Sequence, residues 1–525
     1  RVMKKIWMYL FFLPLFACDD FLTVESENDV TYYSYFKTER DVEAVITTMM
    51  AMEIDMWGSV MNVDVFDIAA LPCDEYKNED QRNLALTAFS IVEGMSWGGY
   101  YSIIGHADML IDNSFRFGGM TEERKEFWLA QANFIKALCY FDIARNWGEA
   151  PIPPNSTATE PLAKSPVKEV LGKAIECAEK ALFLPTHEKL VDSYGNKLTS
   201  KQYASLGTVK TLLANIYAWM GGLYGEESYW EKAERYASDV IDGKCGFYKL
   251  EPTIALLLER TLGRVRESDE TIFSIEVSDK DMDYMKITWL QYLYPGILLC
   301  TYPEFDASPE LAETGFPRYL SARISVETVE NMFPDEDDAR KELYWYDLGN
   351  VFWWKITKRD DDGNPIDSVK VISDYAYFYK WHDVIRSKIE GNKGDVQNVE
   401  GNRVIWRLAD LKLLRAESRA RLGLSTAVED LNDVRERAGL GSYTGSTDSE
   451  DLRREIFNER DRELFGEGQR YFDIVRNGYL DRLSEAYQQL TAKDIENGAL
   501  YRPVAQRSFN NNELMTQNKY WLWRR

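Results

Sequence analysis

Apolar positions recur at helical spacing near both ends of the chain. After Thr121, an N-cap candidate followed by Glu122 and Glu123, the residues Phe127, Ala130, Phe134, Leu138 and Phe141 return every three or four positions, and the segment stops before Gly148 and Pro151. Ser165-Pro166 is read as a cap with proline at the first helical position. Val167, Val170, Leu171, Ala174, Ala178 and Leu182 then line one face, closed by Leu184-Pro185. A third helix is expected from about Thr199, box-spaced to Gln202, through Leu206, Val209, Leu213, Ile216 and Met220 to Gly221-Gly222. Its partner carries Trp230, Ala233, Ala237 and Ile241 and ends at Gly243. Consecutive helix pairs with alanines where helices approach are the pattern of tetratricopeptide-like repeats whose Trp-Leu-Gly-Tyr signature has decayed. The expectation is a mainly α fold in one large domain, with helical repeats over about 37–243 and 403–490.

Between them, over about 244–402, the pattern changes to short strands and long loops. Phe273, Ile275 and Val277 alternate with Ser274 and Glu276, and Tyr377, Tyr379 and Trp381 alternate further on. Asp360-Asp361-Asp362-Gly363-Asn364-Pro365 has turn composition. Its spacing does not match an EF-hand loop, so a solvated hairpin is favoured over a calcium site. Helices resume at about Arg403, where Leu408, Leu411, Arg415, Ser418 and Leu422 define one side up to Gly423. Thr426 with Glu429 is expected to cap the next helix, and Thr447 with Glu450 the last pair. Tyr520-Trp521-Leu522-Trp523 is an irregular aromatic end.

The first residues change the picture of where this domain resides. Arg1, Lys4 and Lys5 precede an apolar run from Ile6 to Phe16, and Ala17-Cys18-Asp19-Asp20 follows. A basic start, a run too short for a comfortable membrane span and a small residue before cysteine form a lipoprotein signal over 1–17, with Cys18 as the lipidation site. Phe16 is bulkier than the usual residue at its position. The mature chain, 18–525, would have 508 residues, and loss of three positive charges takes the formal charge from -24 to -27. Nucleic acid and anionic lipid surfaces are poor partners for such a body. Fifteen Trp, 31 Tyr and 24 Phe suit contact with neutral ligands that present a face, such as sugar rings, although most rings will be core.

Cys73, Cys139, Cys177, Cys245 and Cys300 are odd in number and lack C-x-x-C spacing, so neither a disulfide framework nor a zinc site is implied. Cys139 and Cys177 fall in apolar helical patterns and read as small buried hydrophobes. Only His106, His187 and His382 are present, far apart, which disfavours a multi-histidine metal site or a histidine-based triad. No cofactor is expected: neither H-E-x-x-H nor a glycine-rich phosphate loop is seen.

Several segments together resemble the SusD/RagB family. An alanine-rich helix leads into Tyr140-Phe141-Asp142, Arg145 and Gly148-Glu149-Ala150-Pro151. Glu459-Arg460, Glu463-Leu464, Glu467-Gly468-Gln469-Arg470, Asp473 and Arg476 form a second block. Arg407-Leu408-Ala409-Asp410-Leu411, the run from Leu431 to Leu440, and Gln517-Asn518 before Tyr520 also fit. The likeness runs in order along the mature chain. Asp108, Ala505 and Lys519 depart from the usual residues, which the family pattern assigns to loops and caps. The resemblance implies a single SusD-like domain and an outer-membrane lipoprotein, facing the outside. It would capture a nutrient oligosaccharide, or a peptide in some members, and pass it to a SusC-like TonB-dependent barrel, with no chemistry of its own.

The C-terminal block also has a catalytic reading, as the paired carboxylates of a glycosidase. Glu459, Glu463 and Glu467 are four apart, and Arg470, Asp473 and Arg476 follow at threes, so a continuous helix would place them in a ladder of opposite charges. Gly466 and Gly468 stand where such a helix would break. Carboxylates facing arginines are held ionised, which suits a structural network better than the general acid of a surface glycosidase. The binding candidates are aromatics in expected loops: Trp289, Tyr292, Tyr294 and Tyr302, flanked by Pro295 and Pro303. Family sites near the first third add Trp57, Asp74, Tyr76 and Trp97. For any single one the core reading is the stronger, as it is for helix-face rings such as Phe134 and Trp230.

Overall fold

The structure, a computed structural model, describes residues 35–54, 56, 96–276, 324–374, 376–386, 396–483 and 485–522. Among the described residues, six long helices build the first part. They are α1 (Glu39–Glu53), α2 (Gly98–Asp112), α3 (Glu122–Trp147), α4 (Val167–Lys180), α5 (Leu206–Tyr224) and α6 (Glu227–Ile241). Thr38 starts α1 with a capping box, its backbone N–H donating to Asp41 Oδ2 at 2.8 Å. Thr121 caps α3 as its sequence suggests, accepting from the Arg124 N–H, and Gly148 at φ 76° ends it.

Helix α3 is the axis of this half. It packs against α1, α2 and α4, so burial extends around it instead of along one stripe. Two of the polar residues that this encloses are held across helices or loops. Gln131 exchanges two hydrogen bonds with the Ala204 backbone at 2.9 and 3.0 Å, and Lys136 pairs with Asp108 of α2. Asp108 is therefore inside a helix pair, and this departure from the family pattern concerns an interhelical ion pair, not a loop or cap.

Other helix starts move from their expected places for local reasons. Ser165 is tied by its backbone to Ala150, so α4 begins at Val167 and Pro166 is its N-cap. Helix α5 starts at Leu206, not near Thr199, because Ser205 and Thr208 make the capping box. Gln202 instead points into the core and donates to Met50 O and Glu53 Oε2 of α1, both at 2.9 Å. Gly221-Gly222 does not end α5. A Cβ on Gly221 would lie 2.5 Å from the Trp230 ring, and one on Gly222 2.5 Å from the Arg476 carbonyl. The glycines admit close neighbours, and Gly225 in the left-handed region ends the helix two residues before α6.

The middle holds α7 (Val326–Met332), α8 (Ala339–Leu343) and strands in antiparallel pairs. Strand β1 (Thr271–Ile275) does not alternate: all five residues are buried, because α5 lies against a strand already paired elsewhere. Next come β2 (Trp345–Tyr346), β3 (Phe352–Arg359), β4 (Pro365–Ile372), β5 (Tyr377–Phe378), β6 (Val384–Arg386), β7 (Val396–Val399) and β8 (Arg403–Arg407). Strand β8 pairs with β1, placing Arg407 opposite Thr271, so helices resume at Leu408 and not at Arg403. The expected alternation from Tyr377 to Trp381 yields only the two-residue β5, paired with β2. The Asp360 segment is the turn of the β3–β4 hairpin, where Asp360 Oδ1 accepts from the N–H groups of Asp362 and Asn364.

Further helices follow, among them α9 (Leu408–Arg421), α10 (Ala427–Arg437), α11 (Ser449–Glu463) and α12 (Arg470–Asn477). Helix α9 packs against α6, α10 and α11, which joins the two helical regions. Neither expected capping box here forms: Thr426 occupies the N-cap of α10 without a side-chain cap, and α11 starts after Asp448. Cys139, Cys177 and Cys245 are free and buried. Phe134 and Trp230 belong to the core. Among the described residues no helix is long and apolar enough to cross a membrane.

Candidate functional site

The C-terminal charged block is not one ladder. Helix α11 ends at Glu463, Gly466 and Gly468 both have φ 78°, and α12 begins at Arg470. The break turns Glu467 back toward Arg407, which β8 delivers to the same place. Arg407 donates to Glu270 at 2.8 Å, to Glu463 at 2.6 Å, and through Nε and one terminal nitrogen to both oxygens of Glu467 at 2.9 and 2.7 Å. Arg340 of α8 reaches Glu459 at 2.7 Å and Glu463 at 3.1 Å, and Arg437 of α10 pairs with Glu270 and Glu463. Lys380 Nζ donates to Glu467 at 2.6 Å and to the carbonyls of Glu463 and Phe465 at 3.1 Å.

All these groups are buried. Burial alone would raise the Glu463 pKa, but the guanidiniums of Arg437, Arg407 and Arg340 outweigh it and hold this carboxyl far below its ordinary range. Glu467 is lowered in the same way, by Arg407 and Lys380 against burial. Burial pushes Lys380 down to about 8, so it stays protonated at neutral pH opposite Glu467. A general acid needs the opposite shift and access to substrate. The block acts as a lock joining β8, α8, α10 and α11.

Glu53 does shift upward. It is fully buried at the end of α1, accepts from Gln202 Nε2 at 2.9 Å through one oxygen, and among the described residues has no partner on the other. Burial, against the smaller effect of that hydrogen bond, pushes it up to about 8. The carboxyl is neutral at pH 7, enclosed away from solvent.

Exposed rings lie in the strand region. Phe352 and Trp354, two apart on β3, share one face of the hairpin with their β4 partners Ile372 and Lys370. Phe352 is 38% and Trp354 39% exposed. Their rings meet edge to face at 6.2 Å, and Lys370 Nζ sits 3.9 Å from the Phe352 centroid. Tyr346 of β2 packs at 5.4 Å against Tyr379, which stacks on His382 at 4.4 Å and 13°. These three rings are half-buried. Such faces can hold the C–H side of a ring-shaped ligand. The signal available for them was the Phe352-Trp353-Trp354 run ahead of the turn.

Among the residues expected at a site, Trp57, Asp74, Tyr76, Trp289, Tyr292, Tyr294 and Tyr302 lie outside the described residues, as does Cys18. Trp97 is described, at the N-cap of α2. It is 6% exposed, with Trp147 and Tyr101 each at 5.9 Å from its ring, and this burial agrees with the core reading.

Packed helix pairs bearing a strand region with exposed rings define a helical-repeat scaffold. Residues 325–521 match the model of the SusD family. SusD-like proteins P25 and P38 of Formosa agariphila are 23% and 24% identical, over 91% and 88% of this chain and 90% and 88% of theirs. A SusD homolog from Bacteroides thetaiotaomicron superposes with a TM-score of 0.71 at 22% identity, covering 93% of this chain and 99% of that one. NanU of Bacteroides fragilis gives 0.68 at 19%, covering 95% and 100%. A segment of the chain thus matches the SusD family model, and most of its length is similar to SusD-like proteins.

Proposed function

We propose that this chain is a cell-surface lipoprotein, anchored at the outer membrane through Cys18, that captures a nutrient oligosaccharide without turnover and passes it to a SusC-like TonB-dependent barrel. The observation that carries the reading is the contrast between the two sets of chemically able groups. The carboxylates of the C-terminal block are buried and ionised against arginines, whereas aromatic rings remain exposed on the strand region. Flat rings on a rigid scaffold suit binding of sugars through stacking. The aromatic segment 284–302 is assigned to the same capture role, with Trp289 as its first candidate, and the helical repeat layer is assigned to the barrel.

Purification of the tagged chain from native membranes in mild detergent tests the partner. Co-recovery of a TonB-dependent barrel is expected, and recovery alone from cells expressing both would overturn that part. Cys18→Ala should move the protein out of the membrane fraction, and full retention there would contradict the anchor. Replacing Trp289 by Ala should weaken oligosaccharide binding with the melting temperature unchanged. A large fall in melting temperature would instead make that residue core.

A further inference from the structure

A cleft of about 440 Å³ lies between α7 and the second half of α11. None of the residues discussed above as site candidates lines it. Thr328, Asn331 and Met332 stand at helical spacing on α7, and Glu455, Asn458 and Arg462 do so on α11, so two helix faces turn toward one space.

The wall has three chemical parts. Its charges already have partners: Glu455 pairs with Arg462 at 2.8 Å, Arg462 with Glu459 at 2.7 Å, and Asp461 with Arg470. With Arg482, the lining holds two carboxylates and two guanidiniums and has no net charge. Asn331 and Asn458 differ, because among the described residues neither carboxamide is engaged in a hydrogen bond with the protein. Each offers one acceptor and two donor positions. Met332 and Pro334 supply an apolar strip.

We infer that this cleft is a second ligand site, and that its ligand is a small neutral polyhydroxylated molecule of one or two sugar rings. A charged ligand would find no excess of opposite charge, and an apolar one would desolvate the two carboxamides without replacing their water. Hydroxyl groups can donate to and accept from Asn331 and Asn458 together, while a ring's C–H face lies on Met332. The volume falls in the lower part of the range of small-molecule sites, which limits the ligand to this size.

Ligand-observed saturation-transfer NMR on the full chain, with glucose, galactose, N-acetylglucosamine, maltose, cellobiose and lactose as probes, tests the inference. At least one sugar should show transfer that falls fivefold or more in both Asn458→Leu and Asn331→Leu, and that persists in Trp289→Ala. Asn331 is exposed, so its variant keeps the test valid if Asn458→Leu lowers the melting temperature. No transfer from any of the six sugars, transfer unchanged in both asparagine variants, or transfer lost in Trp289→Ala alone would each overturn it. The proposed capture function is read separately, by calorimetric binding of longer oligosaccharides to Asn331→Leu. That binding can be present or absent whatever the cleft does.

Discussion

Glu53→Gln gives the sharpest test of the buried interior. In the folded chain the carboxyl is pushed up from its ordinary 4.5 to about 8 by burial. Between those two pH values the unfolded chain has released the proton and the folded chain has not, so stability falls as pH rises through this window. At about 1.4 kcal/mol for each pH unit, the loss approaches 5 kcal/mol by pH 8. Glutamine cannot ionise, and its carbonyl can accept the Gln202 bond. The variant should therefore melt close to wild type at pH 5 and above it at pH 8. For a chain of this length a gain of that size corresponds to about 5 °C, extrapolating the size dependence of melting temperatures. Melting curves of both proteins from pH 5 to 8.5 measure it, and their difference cancels the other titrating groups. Parallel curves across the range would show that Glu53 ionises normally, and the account of its burial would be wrong.

The C-terminal lock and the helix contacts give three further tests. Glu463→Gln should cost about 3–5 kcal/mol, because it leaves Arg407, Arg437 and Arg340 short of a buried countercharge. A melting temperature within a degree of wild type would refute the lock. Glu417 is pushed down to about 2, with Arg476, Arg421 and Arg460 outweighing burial. It should contribute roughly 3 kcal/mol that is present above pH 4.5 and lost as pH falls toward 2, so Glu417→Gln should be more harmful at pH 7 than at pH 3. In urea titrations, Gly222→Ala should destabilise by forcing the Arg476 backbone away, whereas Gly172→Ala, whose new Cβ meets nothing within 4 Å, should stabilise by about 0.5–1 kcal/mol.

Periodicity carries the helices well where one face is buried, as for α4 and α6, because the 3.6-residue repeat is written directly in apolar positions. It misplaced starts where a polar side chain had a tertiary task. Gln202 looked like the third residue of a capping box and instead clamps α1, and Ser165 is held by Ala150. Arg403–Arg407 read as the start of a helix because its strand partner, β1, is more than a hundred residues away in sequence. The structural reading of the Glu459–Arg476 block followed from charge spacing. Its true partners, Arg340, Lys380, Arg407 and Arg437, come from other elements, which no local pattern names. The exposed Phe352 and Trp354 were equally hard to single out, since only their pairing across the hairpin shows which face they share.

The central claim is capture without chemistry. Isothermal titration of the purified full chain with a panel of oligosaccharides, followed by chromatography of each recovered sugar after prolonged incubation, addresses it most directly. The account predicts saturable binding of at least one oligosaccharide that is recovered at its original length. Shortened products would contradict it by making the chain a glycosidase, and binding of peptides with no oligosaccharide bound would contradict the assigned ligand class.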